Sequence, residues 1–352
     1  MNRFARQFAR IAAAVTSIAA LGLAAACGGA SSAQSPTTEQ PQTLPAEAAP
    51  IEIVATINQW GSLAKQIGGD YANVTSILAS SNVDAHDFEP QGSDVAKLSK
   101  ASIVVANGAG YDSWASKAVG KNTVLVSAAE TIGASDGDNP HLWFSKDARS
   151  AMAKELADAC AKLRPDHKDY FQTQLKQWQT DEQTLEETMG AFSSNHKGAS
   201  YAATESVAKY LLADLGMKDV TPKGYEQASV NGGESSPSDL NDFTRLIESH
   251  AADVVVNNPQ ETSDTTNMIT GVAHKSDVPV VDVTEQMPEG YATLDDWISA
   301  LVESFDGALG GSSATGSPEL SSGASGGATP SSSSAAASEG SADTGTQPDP
   351  GK

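Results

Sequence analysis

Two histidines and two glutamates with metal-binding side chains each follow a predicted β-strand. Imidazole nitrogens together with carboxylate oxygens suit Zn²⁺, Mn²⁺ or Fe²⁺. The four residues are separated by 55, 64 and 80 positions, and the chain has no local motif such as HExxH or CxxC. A shared site therefore requires a fold that brings four distant segments together. The candidates are His86, His141, Glu205 and Glu285.

The predicted secondary structure explains how these segments could meet. Short β-branched runs alternate with helical patterns in both halves of the chain, which predicts parallel sheets with helices on both faces. Ligands of open α/β sheets bind beyond the carboxyl ends of the strands, so residues that follow strands share one edge. The predicted strands are Ile51–Ile57, Val74–Leu78, Ser102–Ala106, Thr123–Val126, Ala199–Ala203, Asp253–Asn257 and Val278–Val283.

A long polar helix is predicted between the two halves. Apolar residues in the segment 166–192 are sparse and recur at intervals of three, four or seven. About 27 residues at ~1.5 Å each span roughly 40 Å, which suits a bridge between two lobes better than a place in one core. An amphipathic helix, Lys146–Leu163, precedes this segment and ends before Pro165. The sequence therefore predicts two α/β lobes joined by a long helix.

The N-terminus has the features of an export signal. Three arginines precede an uncharged, alanine-rich run at 11–26 that is too short to span a bilayer comfortably. The run ends in LAAACGG at 23–29, which resembles a bacterial lipobox except that its leucine stands one place further from the cysteine than usual. This pattern predicts cleavage before Cys27 and lipidation of that residue. The alternative is an ordinary secretory signal with an incidental cysteine.

Composition also divides the chain. Both flanks of the core are rich in small and polar residues, and such segments bury too little surface to offset the entropy of ordering them. The C-terminal flank is either a spacer or an inert tail. We expect a signal peptide at 1–27, a flexible tether at 28–50, an N-terminal lobe at 51–165, the linking helix at 166–192, a C-terminal lobe at 193–309 and a disordered tail at 310–352.

Charge and cysteine content exclude several classes of protein. The chain has 44 acidic and 22 basic residues and a formal net charge of −22. Nucleic-acid binding requires a basic stripe, and charge-driven adhesion to an anionic membrane requires basic clusters, so neither is expected. Two cysteines cannot form a disulfide scaffold. Cys160, in the middle of a predicted helix, is interpreted as a small buried hydrophobic residue.

Several stretches around the candidates form a recognisable set. They are DAHDFEP at 84–90, VANGAGYDSW at 105–114, NPHLW at 139–143, ATE at 203–205 and PVVDVTE at 279–285. Together they resemble the substrate-binding lipoproteins of zinc and manganese ABC importers, the cluster A-I family. The resemblance covers nearly all of the predicted core. It implies two (β/α) lobes with parallel sheets, a rigid linking helix and a metal site between the lobes.

The resemblance also assigns ligands. His86 and His141 correspond to the ligands of the N-terminal lobe. Glu205 stands where many zinc members have a third histidine and many manganese members have glutamate, although taken alone it could be only a helix cap. The fourth ligand of the family is usually an aspartate after Ser or Thr. Glu285 occupies that place here, and Asp282, three residues earlier, is the alternative.

The function implied by the resemblance is metal import. We expect a non-enzymatic, monomeric receptor, anchored through lipid on Cys27 to the outer face of the cytoplasmic membrane, that delivers a divalent metal to an ABC permease. Nucleic acid is not an expected partner. The alternatives are an exported metallohydrolase with a His₂-carboxylate site and a surface adhesin with a structural metal.

The identity of the metal stays open between Zn²⁺ and Mn²⁺, with Fe²⁺ also possible. Two histidines with two carboxylates are more permissive for Mn²⁺ or Fe²⁺ than three histidines, whereas Zn²⁺ outranks Mn²⁺ in intrinsic affinity. Zinc members of the family often have a histidine-rich loop before the second ligand. The corresponding segment, 133–138, is acidic and contains no histidine, which leans slightly towards manganese.

Overall fold

Two four-stranded parallel sheets form the frame of the molecule. The structure is a computed structural model that describes residues 49–80 and 88–310. The signal and lipidation site at Cys27, nearly all of the tether, the first histidine candidate His86 and the tail beyond Gly310 lie outside the described residues.

The first sheet has the strand order β2-β1-β3-β4. Its central strands β1 and β3 are almost entirely apolar and buried, as expected of parallel strands covered by helices on both faces. The strands are β1 (Ile51–Ile57), β2 (Ala72–Leu78), β3 (Ile103–Ala106) and β4 (Val124–Ser127), and the helices are α1 (Asn58–Gly68), α2 (Gly92–Lys100), α3 (Ser113–Ser116), α4 (Ala128–Ile132) and α5 (Lys146–Leu163).

The second sheet repeats this arrangement, with the order β6-β5-β7-β8. In each sheet the chain reverses its winding direction at one point. This switch point lies between β1 and β3 in the first sheet and between β5 and β7 in the second, and open α/β sheets bind ligands at such points. The strands are β5 (Ser200–Ala203), β6 (Lys218–Asp219), β7 (Val254–Asn257) and β8 (Val280–Asp282), and the helices are α7 (Lys209–Asp214), α8 (Lys223–Val230), α9 (Pro237–Glu248), α10 (Asp264–Lys275) and α11 (Leu294–Gly310).

The predicted linking helix is present as α6 (Lys168–Asn195), which has 28 residues. The buried side of α6 packs against α1 and α5, which precede it in the chain, and against α11, which follows it. A buried ion pair joins it to α5, because Arg149 donates to Glu182 at 2.6 and 3.0 Å. The helix is thus fixed along its length, in agreement with the predicted α/β fold of two parallel-sheet lobes and a rigid linker.

The sequence pattern misses the weakest elements of the second lobe. Strand β6 has two residues, both exposed, and helix α8 buries only Tyr225, so neither produces a hydrophobic periodicity. Cys160, by contrast, is confirmed as a buried residue of α5, and its burial raises the pKa of the thiol to about 12. Within the described residues, no helix has both the length and the apolar composition required to cross a membrane.

Candidate metal centre

The loop after β3 is organised around a buried carboxylate. Asp112 accepts hydrogen bonds from the Thr56 hydroxyl at 2.6 Å and from the backbone N–H groups of Asn107 and Gly108 at 2.6 and 2.8 Å. Burial raises the pKa of Asp112, whereas these hydrogen bonds act in the opposite direction. The closed loop fixes the position of Tyr111, whose side chain extends to the second lobe.

His141 is held in one orientation by its neighbours. Its backbone N–H donates to Asn139 Oδ1 at 3.0 Å, and its ring Nδ1 lies 3.0 Å from the same oxygen. Because an amide oxygen only accepts hydrogen bonds, Nδ1 is assigned the proton, which leaves Nε2 as the ring nitrogen that could bind a metal. The Asn107 amide donates to Pro140 O at 2.8 Å and joins this segment to the loop after β3. The imidazole is 3% exposed.

Glu205 lies in the connection between β5 and α7. Its Oε1 is 3.7 Å from His141 Nε2, and its Oε2 accepts a hydrogen bond from the Asn258 amide at 2.7 Å. Helix α7 begins at Lys209 with Ala208 at its N-cap, so Glu205 does not cap this helix. Asn258 directly follows β7 and is itself held by a bond from its N–H to the Thr204 hydroxyl at 3.2 Å.

Glu285 follows β8 and is 2% exposed. Its backbone N–H donates to Gln260 Oε1 at 2.6 Å, and its Oε2 accepts a hydrogen bond from the Tyr111 hydroxyl at 2.6 Å. The Asn258 amide lies 3.4 Å from Glu285 Oε1 and so serves both carboxylates. Burial, followed by the charges of Glu285 and Glu205, raises the pKa of Tyr111 well above its usual value.

Asp282, the alternative to Glu285, has a different environment. It is the last residue of β8 and is exposed, between the buried Val281 and Val283. Its Oδ1 accepts a hydrogen bond from the Asn257 amide at 2.8 Å. Among the described residues, the group that could hold a metal ion contains Glu285 and not Asp282.

Three of the four predicted ligands come together. One donor atom from each of His141, Glu205 and Glu285 lies within 4.8 Å of the others. Two carboxylates at short range repel each other, and a divalent cation between them would replace this repulsion with attraction. Imidazole and carboxylate donors in this arrangement fit Zn²⁺ or Mn²⁺.

The sequence reasoning missed the residues that support these ligands. Tyr111, Asn139, Asn258 and Gln260 orient the three donors, yet none was assigned a role. The signal that points to the candidate ligands also applies to two of these residues, because Asn258 directly follows β7 and Tyr111 lies in the loop after β3. A polar side chain at a strand end becomes informative only when its partner across the site is known.

The chain is similar to known metal-uptake proteins. Residues 53–308 match the family model described as zinc-uptake complex component A, periplasmic (ZnuA). The high-affinity zinc uptake system protein ZnuA of Bacillus subtilis (strain 168) is 24% identical over 224 residues, which cover 57% of this chain and 67% of that protein. The zinc-binding lipoprotein AdcA of Streptococcus pneumoniae (strain ATCC BAA-255 / R6) is 24% identical over 263 residues, which cover 67% of this chain and 51% of that protein.

The alignments thus span about two thirds of the Bacillus protein and half of the AdcA protein. Among solved structures, a mutant of the laminin-binding adhesin Lmb from Streptococcus agalactiae superposes with a TM-score of 0.63 and 19% identity, over 74% of this chain and 99% of that chain. This likeness supports the two-lobe fold. The family match covers most of the chain and includes all three assembled donor residues. The chain belongs to the ZnuA family of zinc-uptake components.

Proposed function

We propose that the protein is an exported receptor that binds a divalent transition metal, Zn²⁺ or Mn²⁺, and delivers it to an ABC permease. The observation that carries this proposal is the convergence of one imidazole and two carboxylates from both lobes. His141 belongs to the first lobe, and Glu205 and Glu285 follow strands of the second. Family membership supports the same role.

Binding by both lobes gives a physical basis for capture and release. A metal ion held by His141 and by the two glutamates joins the lobes through its own bonds. Hydrogen bonds across the same boundary add to this contact: the Asn139 amide donates to Ser206 at 2.8 and 2.9 Å, and the Tyr210 hydroxyl donates to Asn139 O at 3.0 Å. Separating the ligands of the two lobes on docking to the permease would release the ion.

Three further assignments complete the proposal. His86 supplies a fourth ligand, which gives a site of two imidazoles and two carboxylates. Cys27 carries the lipid that anchors the receptor to the outer face of the cytoplasmic membrane, and the receptor acts as a monomer. The assignments of His86 and Cys27 depend on the sequence motifs around these two residues.

A hydrolytic role has less support from the site. A zinc hydrolase needs an open coordination position for water and a carboxylate placed as a general base. Here both glutamates contribute to the donor group. One oxygen of Glu205 accepts a hydrogen bond from Asn258, and one oxygen of Glu285 accepts a hydrogen bond from Tyr111. The proposed function is therefore binding without turnover.

Removing one ligand tests the proposal. We expect His141→Ala to weaken Zn²⁺ and Mn²⁺ binding by at least about 100-fold, since loss of even an outer partner of a ligand costs 10- to 100-fold in affinity. The measurement is a competition titration of metal-free protein against a chromogenic chelator. His196→Ala is the control, because His196 pairs with Asp306 on the surface.

The same titration applies to His86→Ala. If His141→Ala and His86→Ala both bind the two metals as tightly as the wild type, the site assignment is wrong. Substrate turnover by the wild type with all ligands intact would favour the hydrolase instead.

A further inference from the structure

The main chain around Glu285 is bound by two side chains of helix α1, in the first lobe. The Gln59 amide donates a hydrogen bond to Glu285 O. Asn58 forms two hydrogen bonds with Met287: its amide donates to Met287 O at 2.6 Å, and the Met287 N–H donates to Asn58 Oδ1 at 3.2 Å. The first turn of α1 thus holds the backbone on both sides of Gln286, within the connection between β8 and α11.

Helix α1 is a rigid base for these hydrogen bonds. It begins directly after the buried strand β1, and its apolar residues Trp60, Leu63 and Ile67 are buried in the core. The Trp60 indole also donates to Asn107 Oδ1 at 3.0 Å, which joins the helix to the loop after β3. Gln59 itself is 0% exposed. Because the side chain is fixed by packing, it restrains the carbonyl group that it contacts.

Restraint of this backbone bears on the metal site because two acids meet there. Glu205 and Glu285 both belong to the donor group whose atoms lie within 4.8 Å of one another, and two carboxylates at this range repel each other when no cation lies between them. Main-chain hydrogen bonds to the first lobe oppose this repulsion and keep Glu285 close to His141. The metal then has less ordering to induce when it binds, which raises its affinity.

We propose that Gln59 and Asn58 are positioning residues of the metal site, which hold the main chain around Glu285 against the first lobe and thereby pre-organise Glu285 for the metal. The inference rests on the proposed function, because it concerns the same site. It gives a role to two side chains of the first lobe that are not themselves metal donors and that act on a ligand of the second lobe through its backbone.

The first test removes the amide of Gln59. Gln59→Met keeps a side chain of similar length, and Gln59 Oε1 has no hydrogen-bond partner among the described residues, so the change is directed at the bond to Glu285 O. We expect the affinity for Zn²⁺ and for Mn²⁺ to fall by about tenfold, the lower end of the effect of a partner that orients a ligand. Competition titration of the full chain with each metal alone measures it. Unchanged affinity in the folded variant would overturn the inference.

A double-mutant cycle separates positioning from a general structural effect. If Gln59 acts through Glu285, then Gln59→Met adds less than about twofold to the loss of affinity caused by Glu285→Ala, although it has its full effect in the wild type. A purely structural role predicts the same further loss in both backgrounds, and that result would contradict the inference. Asn58→Ala is taken through the same cycle and decides the matter if Gln59→Met does not fold.

Ser62→Ala is the matched control. Ser62 lies one turn further along α1, and its hydroxyl accepts the Leu294 N–H at 3.0 Å, where α11 begins. This bond also joins α1 to the second half of the chain but does not involve the residues next to Glu285, so we expect the affinity to stay within about twofold of the wild type. An equal loss in Ser62→Ala and Gln59→Met would show that general contact between the lobes sets the affinity, and would overturn the inference.

The wild type distinguishes this inference from the proposed function. Failure of the wild type to bind Zn²⁺ or Mn²⁺ would refute the proposed function itself. Binding by the wild type that neither Gln59→Met nor Asn58→Ala weakens would refute only the positioning role. Circular dichroism and the melting temperature establish that each variant is folded.

Discussion

At the scale of single residues, an amide and a hydroxyl contact the carboxylates of the candidate site. Asn258 lies between the two carboxylates, 2.7 Å from an oxygen of Glu205 and 3.4 Å from an oxygen of Glu285. Its N–H groups supply partial positive charge where two negative groups meet. Partners of this kind orient metal ligands and raise affinity without touching the ion.

Asn258→Ala tests this role. We expect the change to lower metal affinity by about 10- to 100-fold and to leave a single binding site, because all ligands remain but the glutamates lose their shared donor. Asn257→Ala is the control, since the neighbouring Asn257 amide donates instead to Asp282. Titration of both variants gives the comparison. Equal losses in the two variants would argue that Asp282 belongs to the site.

The sequence favours Glu285 as the fourth ligand but leaves Asp282 open as the alternative. Asp282 and Glu285 are three residues apart after the same apolar run, and periodicity alone does not show where the strand ends. In the structure β8 ends at Asp282, whose side chain is exposed, and the following turn carries Glu285 into the buried site. The decision depends on contacts with Tyr111 and Gln260, which are 174 and 25 residues away in the chain.

At the scale of elements, three helices meet in a buried cluster of charges. Arg149 of α5 pairs with Glu182 of α6, and Asp295 in the first turn of α11 is buried nearby. Neither carboxylate oxygen of Asp295 has a hydrogen-bond partner within the described part of the chain. Burial, then the charge of Glu182, raises the pKa of Asp295 to about 7, and Arg149 opposes the shift.

This shift predicts a dependence of stability on pH. The folded protein retains a proton on Asp295 up to about pH 7, whereas an unfolded aspartate loses it near pH 4. Stability therefore falls as pH rises between these values, and the full cost is present above pH 7. Asp295→Asn removes the titrating group.

We expect Asp295→Asn to stabilise the protein at pH 8, by up to about 4 kcal/mol, and to have little effect at pH 4. The measurement is urea unfolding at several pH values. Glu303→Gln, on the exposed side of the same helix, is the control and should change stability equally little at all of them. A gain from Asp295→Asn that is the same at pH 4 and pH 8 would show that ionisation of Asp295 is not its cause.

Strong elements were predictable because their patterns are long or fully apolar. The helix Lys146–Leu163 was predicted with the bounds that the structure shows, and the linking helix within a few residues of its observed bounds, Lys168–Asn195. Strand β6 and helix α8 were missed because few of their side chains are buried.

At the scale of the whole molecule, the two sheets have the same strand order, and the switch point of each sheet lies at the candidate site. The first contributes the loop of Asn107 and Tyr111 after β3, and the second contributes Glu205 after β5 and Asn258 after β7. This symmetry explains why ligands so far apart in the chain converge. The two similar sheets were foreseeable from the βα alternation. The way in which the two lobes contact each other was not, because it depends on contacts such as that of Tyr111 with Glu285.

We expect the metal to bind between these strand ends. The most direct test is anomalous diffraction at the zinc absorption edge from crystals of the Zn²⁺-loaded protein. We expect one peak, about 2.0–2.2 Å from His141 Nε2 and from one oxygen each of Glu205 and Glu285. Zinc bound elsewhere on the molecule, with no peak at these three residues, would contradict the account.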